Sequence, residues 1–151
     1  MKIGVISDTH LSLFEQISPR IIKAFSDVDL IVHTGDFIEL PVLEGLRRIC
    51  DVKAVCGNMD SAEIKQILPE KDLAMINGKK IGIIHGWGGP LGIERRIRGQ
   101  FDQVEVILFG HSHEARNLII DNTLFFNPGM AVRSFGLLEI DEDIQGRIIE
   151  I

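Results

Sequence analysis

Five short apolar segments of this chain each end next to residues that can bind a metal ion. The polar groups that follow these segments are Asp8-Thr9-His10, Gly35-Asp36, Gly57-Asn58, His85-Gly86 and His111-Ser112-His113. Short runs rich in Val, Ile and Leu are typical of buried β-strands. Because a sheet can bring the loops at its strand ends together, we expect these groups to lie close to one another. The chain therefore needs a fold in which several strands end at one edge.

The first half of the chain alternates predicted strands with predicted helices. The strands are residues 3–7, 29–33 and 51–56. In the segments between them, apolar residues recur at helical spacing: Ile21, Ile22 and Phe25 in the first, and Leu40, Leu43, Leu46 and Ile49 in the second. Ser18 is the expected N-cap of the first helix, because Pro19 suits its first position. This βαβαβ order predicts a parallel sheet.

The second half is richer in strands. They are predicted at residues 73–77, 80–84, 104–109, 115–120, 123–126, 134–140 and 147–151, with one helix around 93–100 and turns at 78–79, 121–122 and 141–146. A βαβ half joined without a linker to a strand-rich half predicts one α/β domain over residues 1–151. We expect its two sheets to pack face to face and helices to cover their outer faces.

Composition narrows the classes of partner and the location. A net charge of −6 over 151 residues disfavours long nucleic acids, which clustered Lys and Arg bind, but not short phosphodiesters. The N-terminus lacks a signal-peptide pattern and no apolar run is long enough to span a bilayer, so we expect a cytoplasmic protein without membrane contact. Cys50 and Cys56 are interpreted as small buried groups rather than a disulfide.

The polar groups at the strand ends have the chemistry of a site for two divalent ions. Asp8 and His10 are two residues apart, so an extended backbone would place both on one face. Asp36 is the best candidate for a carboxylate that bridges two ions, because Gly35 permits a tight turn before it. The remaining candidates supply an amide oxygen and imidazole nitrogens: Asn58, His85, His111 and His113. Such ligands suit first-row transition metals.

Each candidate also has an ordinary structural interpretation. Asp8 suits a turn, Asn58 suits a helix cap, and any one histidine suits the surface or a hydrogen-bonded position in the core. These interpretations leave the coincidence of all seven unexplained. His33, the fifth histidine, is not included among the ligands; either ordinary core packing or hydrogen-bonding support of the site accounts for it.

The five polar groups, in order, resemble the signature motifs of the calcineurin-like metallophosphoesterase superfamily. The resemblance spans about residues 3–135, and Gly57-Asn58-Met59-Asp60 and Asn127-Pro128-Gly129 are most similar to the small archaeal and bacterial phosphodiesterases related to the retromer subunit. It implies a four-layer αββα sandwich of two mixed sheets flanked by helices. It also implies one ion held by Asp8, His10, Asp36 and His113, and another by Asp36, Asn58, His85 and His111. Manganese is the first expectation for both ions, with nickel, iron and zinc as alternatives.

The resemblance implies phosphoester hydrolysis by a hydroxide that bridges the two metals, with no side-chain nucleophile. Many superfamily members carry a histidine after the Gly-Asn motif as general acid or phosphate ligand, whereas this chain has Met59. Asp60 is then interpreted as a cap for the helix at residues 61–66. Trp87 occupies a second position where relatives often have histidine, and suits either a stacking wall for an aromatic substrate or an anchor for its Gly-rich loop. Arg95, Arg96, Arg98 and Arg133 are interpreted mainly as surface charge.

A phosphodiesterase acting on small phosphodiesters, among them cyclic or linear nucleotides, is the leading hypothesis. Because both neighbouring histidines are missing, we expect esters with a good leaving group to be favoured. A phosphomonoesterase is the nearest alternative, since the metal ligands alone do not select the ester. A non-enzymatic interaction scaffold of the same fold is a third hypothesis, although every ligand position is filled here. A nuclease is disfavoured because this acidic chain lacks both extra DNA-binding segments and the histidine. A homodimer is also expected.

Overall fold

The computed structural model describes residues 1–151 and contains two sheets of five strands each. The strands are β1 (Lys2–Ile6), β2 (Leu30–His33), β3 (Val52–Ala54), β4 (Lys71–Ile76), β5 (Lys79–Ile84), β6 (Val106–Leu108), β7 (Arg116–Ile120), β8 (Thr123–Asn127), β9 (Ser134–Ile140) and β10 (Ile144–Glu150). The α-helices are α1 (Pro19–Phe25), α2 (Leu40–Arg47), α3 (Ala62–Ile67) and α4 (Ile93–Arg98), and a 3-10 turn spans Phe14–Gln16.

The first sheet has the order β10-β9-β1-β2-β3. Strands β1, β2 and β3 are parallel, as the βαβαβ pattern predicts, whereas β9 and β10 are antiparallel. Helix α1 begins at Pro19, and the side chain of Ser18 accepts a hydrogen bond from the backbone of Arg20, so the predicted N-cap is confirmed.

The second sheet has the order β4-β5-β6-β8-β7. Its three central strands are parallel and both edge strands are antiparallel. Asn77 and Gly78 connect β4 to β5 with positive φ angles of 48° and 79°, which suit the tight turn of a β-hairpin. The predicted hairpin is therefore confirmed, although its turn is at residues 77–78 rather than 78–79.

The apolar side chains form three clusters that separate four layers. Alternate residues of β1, such as Ile3 and Val5, lie in the cluster between the sheets, where Phe126 of the second sheet packs. On the outer face of the first sheet, α1, α2 and α3 pack over Ile31 and its neighbours. Helix α4 covers the outer face of the second sheet through Ile97 and its neighbours. The predicted αββα sandwich of two mixed sheets is confirmed.

One predicted turn is wrong in its extent. Residues 141–146 were expected to form a turn, but β10 begins at Ile144 and only residues 141–143 connect it to β9. Gly146, which signals a turn in the sequence, instead pairs with Leu138 inside the strand. A Cβ atom at Gly146 would lie 2.7 Å from the Phe126 ring, so the glycine makes room for that ring.

The fold brings the five polar motifs to strand ends. Strands β1, β2 and β3 precede the first three motifs, and β5 and β6 precede the last two. All five are strands with parallel neighbours, so their carboxyl ends meet along one edge of the sandwich. None of the helices is both long enough and apolar enough to cross a membrane.

Candidate metal centre

All seven candidate ligands lie in one continuous cluster where the carboxyl ends of the two sheets meet. At one end, Asp8, His10 and His113 approach one another. The Nε2 atom of His113 lies 3.3 Å from both Asp8 Oδ1 and His10 Nε2. These three ligand atoms fall within 4.8 Å of one another and could hold one metal ion.

The Asp8 carboxylate has one satisfied oxygen and one free oxygen. Its Oδ2 atom accepts hydrogen bonds from the Ser7 hydroxyl at 2.6 Å and from the backbone N–H of His111 at 3.1 Å. Its Oδ1 atom is buried and accepts no hydrogen bond. A buried carboxylate oxygen without a partner is costly, so its position among imidazole nitrogens fits a metal ion as the missing partner.

Asp36 lies between the two ends of the cluster. Its Oδ2 atom is 3.8 Å from His10 Nε2 and 3.3 Å from His85 Nε2. Its Oδ1 atom accepts a hydrogen bond of 2.8 Å from the backbone of Met59. A carboxylate so placed can contact two ions, one at each end of the cluster.

At the other end, Asn58, His85 and His111 approach one another. The Oδ1 atom of Asn58 lies 3.2 Å from both His85 Nε2 and His111 Nδ1. The two imidazole nitrogens are 3.3 Å apart. This end can supply one amide oxygen and two nitrogens to a second ion that also contacts Asp36.

Backbone carbonyls fix the tautomers of the two histidines at this end. His85 donates from Nδ1 to the Thr34 carbonyl at 2.8 Å, and His111 donates from Nε2 to the Gly88 carbonyl at 3.0 Å. When each ring is neutral, its lone pair is therefore on the other nitrogen, which faces the cluster. Such a hydrogen bond on the far nitrogen is the usual support of a metal-binding histidine.

The backbone at the candidate ligands is not extended. Five of the seven have φ angles between 50° and 67°, namely Asp8, His10, Asp36, His111 and His113. The expectation that an extended backbone aligns Asp8 with His10 is wrong, although both side chains do reach the same place. Non-glycine residues rarely adopt such angles, and strained backbone of this kind concentrates at functional sites.

Asp60 organises the loops rather than capping a helix. Its carboxylate accepts hydrogen bonds from the backbone N–H groups of Gly57 at 2.7 Å, Ile38 at 2.9 Å and Asp36 at 3.0 Å. The cap of α3 is Ser61, whose hydroxyl accepts from the backbone of Ile64. The cap interpretation of Asp60 is therefore wrong, because tertiary contacts supply its partners.

His33 supports the loop of Asp36, and both of its ring nitrogens have hydrogen-bond partners. Its Nδ1 atom accepts from the backbone of Gly35 at 3.1 Å, so Nε2 carries the proton and donates to the Thr9 hydroxyl at 3.2 Å. The ring also stacks on Phe37 with 3.5 Å between centroids. Burial, followed by the nearby positive charge of His85, holds the pKa of His33 well below its ordinary value, so the ring is neutral. Both interpretations of His33 thus apply.

The electrostatics of the cluster favour a bound cation. Burial by itself lowers the pKa of His85, but the hydrogen bond to Asp36 and the charges of Asp8 and Asp36 outweigh it and raise that pKa. For Asp36, burial raises the pKa, while the hydrogen bond and charge of His85 together with the Met59 N–H lower it below its ordinary value. The two carboxylates therefore attract positive charge, whether a proton or a metal ion.

The Gly-rich loop beside the cluster is held by a residue whose role has no signal in the sequence. Arg96 donates to the carbonyls of Trp87 at 3.0 Å and Leu91 at 2.9 Å, and also to that of Gly89. Arg96 therefore holds the Gly-rich loop, whereas Trp87 is 44% exposed and lines a cavity. Surface charge was the wrong interpretation of Arg96, because backbone carbonyls as partners cannot be read from sequence.

Asn127 holds the loop that carries the last two histidines. Its side-chain amide donates to the Gly110 carbonyl at 3.1 Å and to the Ser112 hydroxyl at 3.0 Å. Its Oδ1 atom accepts from the backbone of Gly129 at 2.9 Å. The Asn127-Pro128-Gly129 segment thus positions His111 and His113.

The two cysteines are free thiols. Cys56 is buried, as expected, whereas Cys50 is only half-buried. Burial is the main cause that raises the pKa of both thiols. Neither is one of the seven clustered side chains.

Comparison with known proteins places this geometry in a family. Residues 1–142 match the calcineurin-like phosphoesterase superfamily domain. A probable metallophosphoesterase of Methanocaldococcus jannaschii is 36% identical over an alignment that covers 100% of this chain and 82% of the relative. The solved structure of an archaeal phosphodiesterase superposes with a TM-score of 0.82 at 25% identity and covers 100% of both chains.

The retromer subunit Vps29 of Entamoeba histolytica, solved as a single mutant, has the same fold. It superposes with a TM-score of 0.77 at 23% identity and covers 100% of this chain and 99% of the other. Members of the matched family use divalent metals, and this chain has candidate ligands for them. The family match over residues 1–142 and the relative at 36% identity show that this chain belongs to the calcineurin-like phosphoesterase superfamily.

Proposed function

We propose that this protein is a phosphodiesterase that depends on two divalent metal ions. The first ion is assigned to Asp8, His10, Asp36 and His113, and the second to Asp36, Asn58, His85 and His111. Manganese is proposed first on the family resemblance, with nickel, iron and zinc as alternatives; imidazole, amide and carboxylate ligands suit first-row transition metals in general. When bound, two such ions supply an activated water and polarise the phosphoryl oxygens of the substrate.

The observation that carries the proposal is the buried, unpartnered Oδ1 atom of Asp8, which faces the Nε2 atoms of His113 at 3.3 Å and His10 at 3.6 Å. Asp36 adds to it, because its carboxylate lies between His10 and His85 and reduces the repulsion between two cations. The roles of the protein are to hold both carboxylates in a buried setting and to orient the histidines through backbone carbonyls.

The space around the cluster favours a diester over a monoester. Cavities flank the cluster on two sides: one of about 630 Å³ touches Asn58 and His85, and one of about 580 Å³ touches His113. A diester has two organic groups to accommodate, whereas a monoester has one. Met59, at the position of the family's general acid, is 56% exposed and cannot donate a proton, so either type of ester needs a good leaving group.

The test compares two substrates with the same leaving group on protein stripped by a chelator and reloaded with one metal at a time. Bis(p-nitrophenyl) phosphate should be hydrolysed faster than p-nitrophenyl phosphate, and manganese should give the highest rate. Faster hydrolysis of the monoester would instead identify a phosphomonoesterase. Correctly folded, reloaded protein that hydrolyses neither ester would favour the scaffold hypothesis, for which the likeness to Vps29 supports the fold alone.

Other expectations from the sequence stay predictions. They are the single domain over residues 1–151, the cytoplasmic location and the homodimer. Binding of long nucleic acid remains disfavoured by the net charge of −6.

A further inference from the structure

The larger cavity beside the metal centre has features that the hydrolysis of a phosphate ester alone does not require. It is about 630 Å³ in volume and touches two candidate ligands, Asn58 and His85. A phosphoryl group fills only a small part of such a space, since whole drug-sized ligands occupy roughly 300–1,000 Å³. The cavity can therefore take a substantial organic group of a substrate bound at the metals.

One wall of this cavity is aromatic, and hydrogen bonds hold the backbone of the loop that presents it. Trp87 lines the cavity and is 44% exposed. Its backbone carbonyl accepts from Arg96, and the Gly88 carbonyl next to it accepts from His111. The loop is thus tied both to α4 and to a candidate metal ligand, so the indole is presented without the ordering cost of a mobile loop.

Two lysines supply positive charge to the same cavity. Lys65 donates to the Asn58 carbonyl at 3.0 Å, and Lys71 donates to the Gln100 side chain at 3.3 Å. An ammonium has three N–H donors, and neither lysine forms an ion pair, so both retain capacity for an anion. Glu70 is the one acidic residue among the lining side chains, so this cavity is net positive in a protein of net charge −6.

We propose that this cavity binds a nucleotide unit of the substrate, with its base stacked on Trp87 and a second phosphate held by Lys65 and Lys71. This inference rests on the proposed function, because the scissile phosphate is assigned to the metal centre. An aromatic ring combined with an extra phosphate distinguishes a nucleotide from a simple aryl or alkyl ester. The substrate class is then a phosphodiester to a nucleotide that carries a further phosphate.

The structure provides a direct reporter for stacking. Trp87 is the only tryptophan and the chain has no tyrosine, so the intrinsic fluorescence comes from this wall. In metal-loaded protein, adenosine 3′,5′-bisphosphate should quench the emission in a saturable manner. Methyl phosphate, which can occupy the metal centre alone, should leave the emission unchanged at saturation. An unchanged emission when calorimetry shows the bisphosphate to be bound would overturn the inference.

Variants separate stacking from charge. Trp87→Ala should weaken bisphosphate binding about tenfold, whereas Trp87→Phe, which keeps a ring, should bind nearly as well as the wild type. Lys65→Gln and Lys71→Gln should each weaken the bisphosphate about two- to fivefold and leave adenosine 5′-monophosphate unaffected. Leu91→Ala, on the same loop but outside the cavity, and Lys23→Gln, on α1, are the matched controls. Wild-type affinity in Trp87→Ala, or in both lysine variants, would contradict the assignment.

The result can be separated from that of the proposed function. If methyl p-nitrophenyl phosphate is hydrolysed but the bisphosphate does not change the emission, the nucleotide inference fails and the hydrolase proposal stands. If no ester is hydrolysed but the bisphosphate binds and quenches, the cavity assignment stands and the hydrolase proposal fails. Metal content and circular dichroism of each variant should match the wild type.

Discussion

The two sheets make unequal contributions to the candidate metal centre. The first sheet supplies both carboxylates, Asp8 and Asp36, which are almost fully buried and held by backbone N–H groups. The second sheet supplies only imidazoles, and one of them, His113, has a side chain that is 44% exposed. Because buried charges need fixed partners, the two carboxylates from the first sheet must be held rigidly. A neutral ligand at the rim of the cluster, such as His113, can remain accessible to solvent.

The largest expected effect comes from removing one candidate ligand that each sheet supplies. Asp36→Asn removes the charge between the two ions, and His85→Ala removes a nitrogen supported by Thr34. Each should abolish phosphoester hydrolysis while circular dichroism shows the fold to be largely intact. Activity assays and metal analysis of the purified variants measure this. Full activity in either variant would refute the two-metal assignment.

The next effect concerns the place where the two sheets touch. Gly110, from the second sheet, approaches the first so closely that an added Cβ would lie 2.8 Å from Asp8 Oδ2 and closer still to the Ser7 hydroxyl. Gly110→Ala should therefore lower the free energy of unfolding by about 1–3 kcal/mol and weaken metal binding. Gly99→Ala is the control, because its Cβ would meet only ordinary contacts. Equal metal affinity in both variants would show that the junction is not tightly packed.

A variant of Asp60 tests whether rigid placement of the carboxylate ligand Asp36 matters for metal binding. Asp60→Ala leaves the backbone N–H groups of Asp36, Ile38 and Gly57 without their acceptor. It should reduce metal affinity roughly 10- to 100-fold, as loss of a supporting partner does. Ser61→Ala should cost about 1 kcal/mol of stability as a lost helix cap, with no change in metal affinity. Titration calorimetry measures the metal affinity of both variants. Equal affinities would contradict this role of Asp60.

The smallest expected effect is a pair of opposed pH trends at His85. Its raised pKa means that the folded, metal-free protein binds this proton more tightly than the unfolded chain. That contribution to stability is complete below the ordinary value of 6.5 and is lost as the pH rises through the raised pKa. Metal affinity should increase over the same interval, because only neutral imidazole binds a metal.

Melting temperatures of chelated protein and metal titrations from about pH 6 to pH 9 measure the two trends. The His85→Ala variant should lose this contribution to the pH dependence of its melting temperature. If the melting temperature of chelated wild type rose through the same interval, the direction of the His85 shift would be wrong.

The regular elements were largely predictable because apolar periodicity determines them. Residues 3–7 and 29–33 were expected as strands, and β1 and β2 coincide with them to within one residue at each end. The errors arose where a residue has a tertiary rather than a local partner. Gly146 lies within β10 because the Phe126 ring packs against it, and Asp60 has three backbone donors from separated segments instead of its own helix.

The sequence by itself determined the fold class, the family resemblance and the seven candidate ligands, because residue type and position after a strand are local properties. Only the tertiary structure decided how these residues meet. It placed Asp36 between two histidines, left Asp8 Oδ1 without a partner and put five candidate ligands in the left-handed region of backbone space. It also joined Trp87, Lys65 and Lys71 around one cavity. Contacts between distant segments depend on packing of the two sheets, which no local pattern encodes.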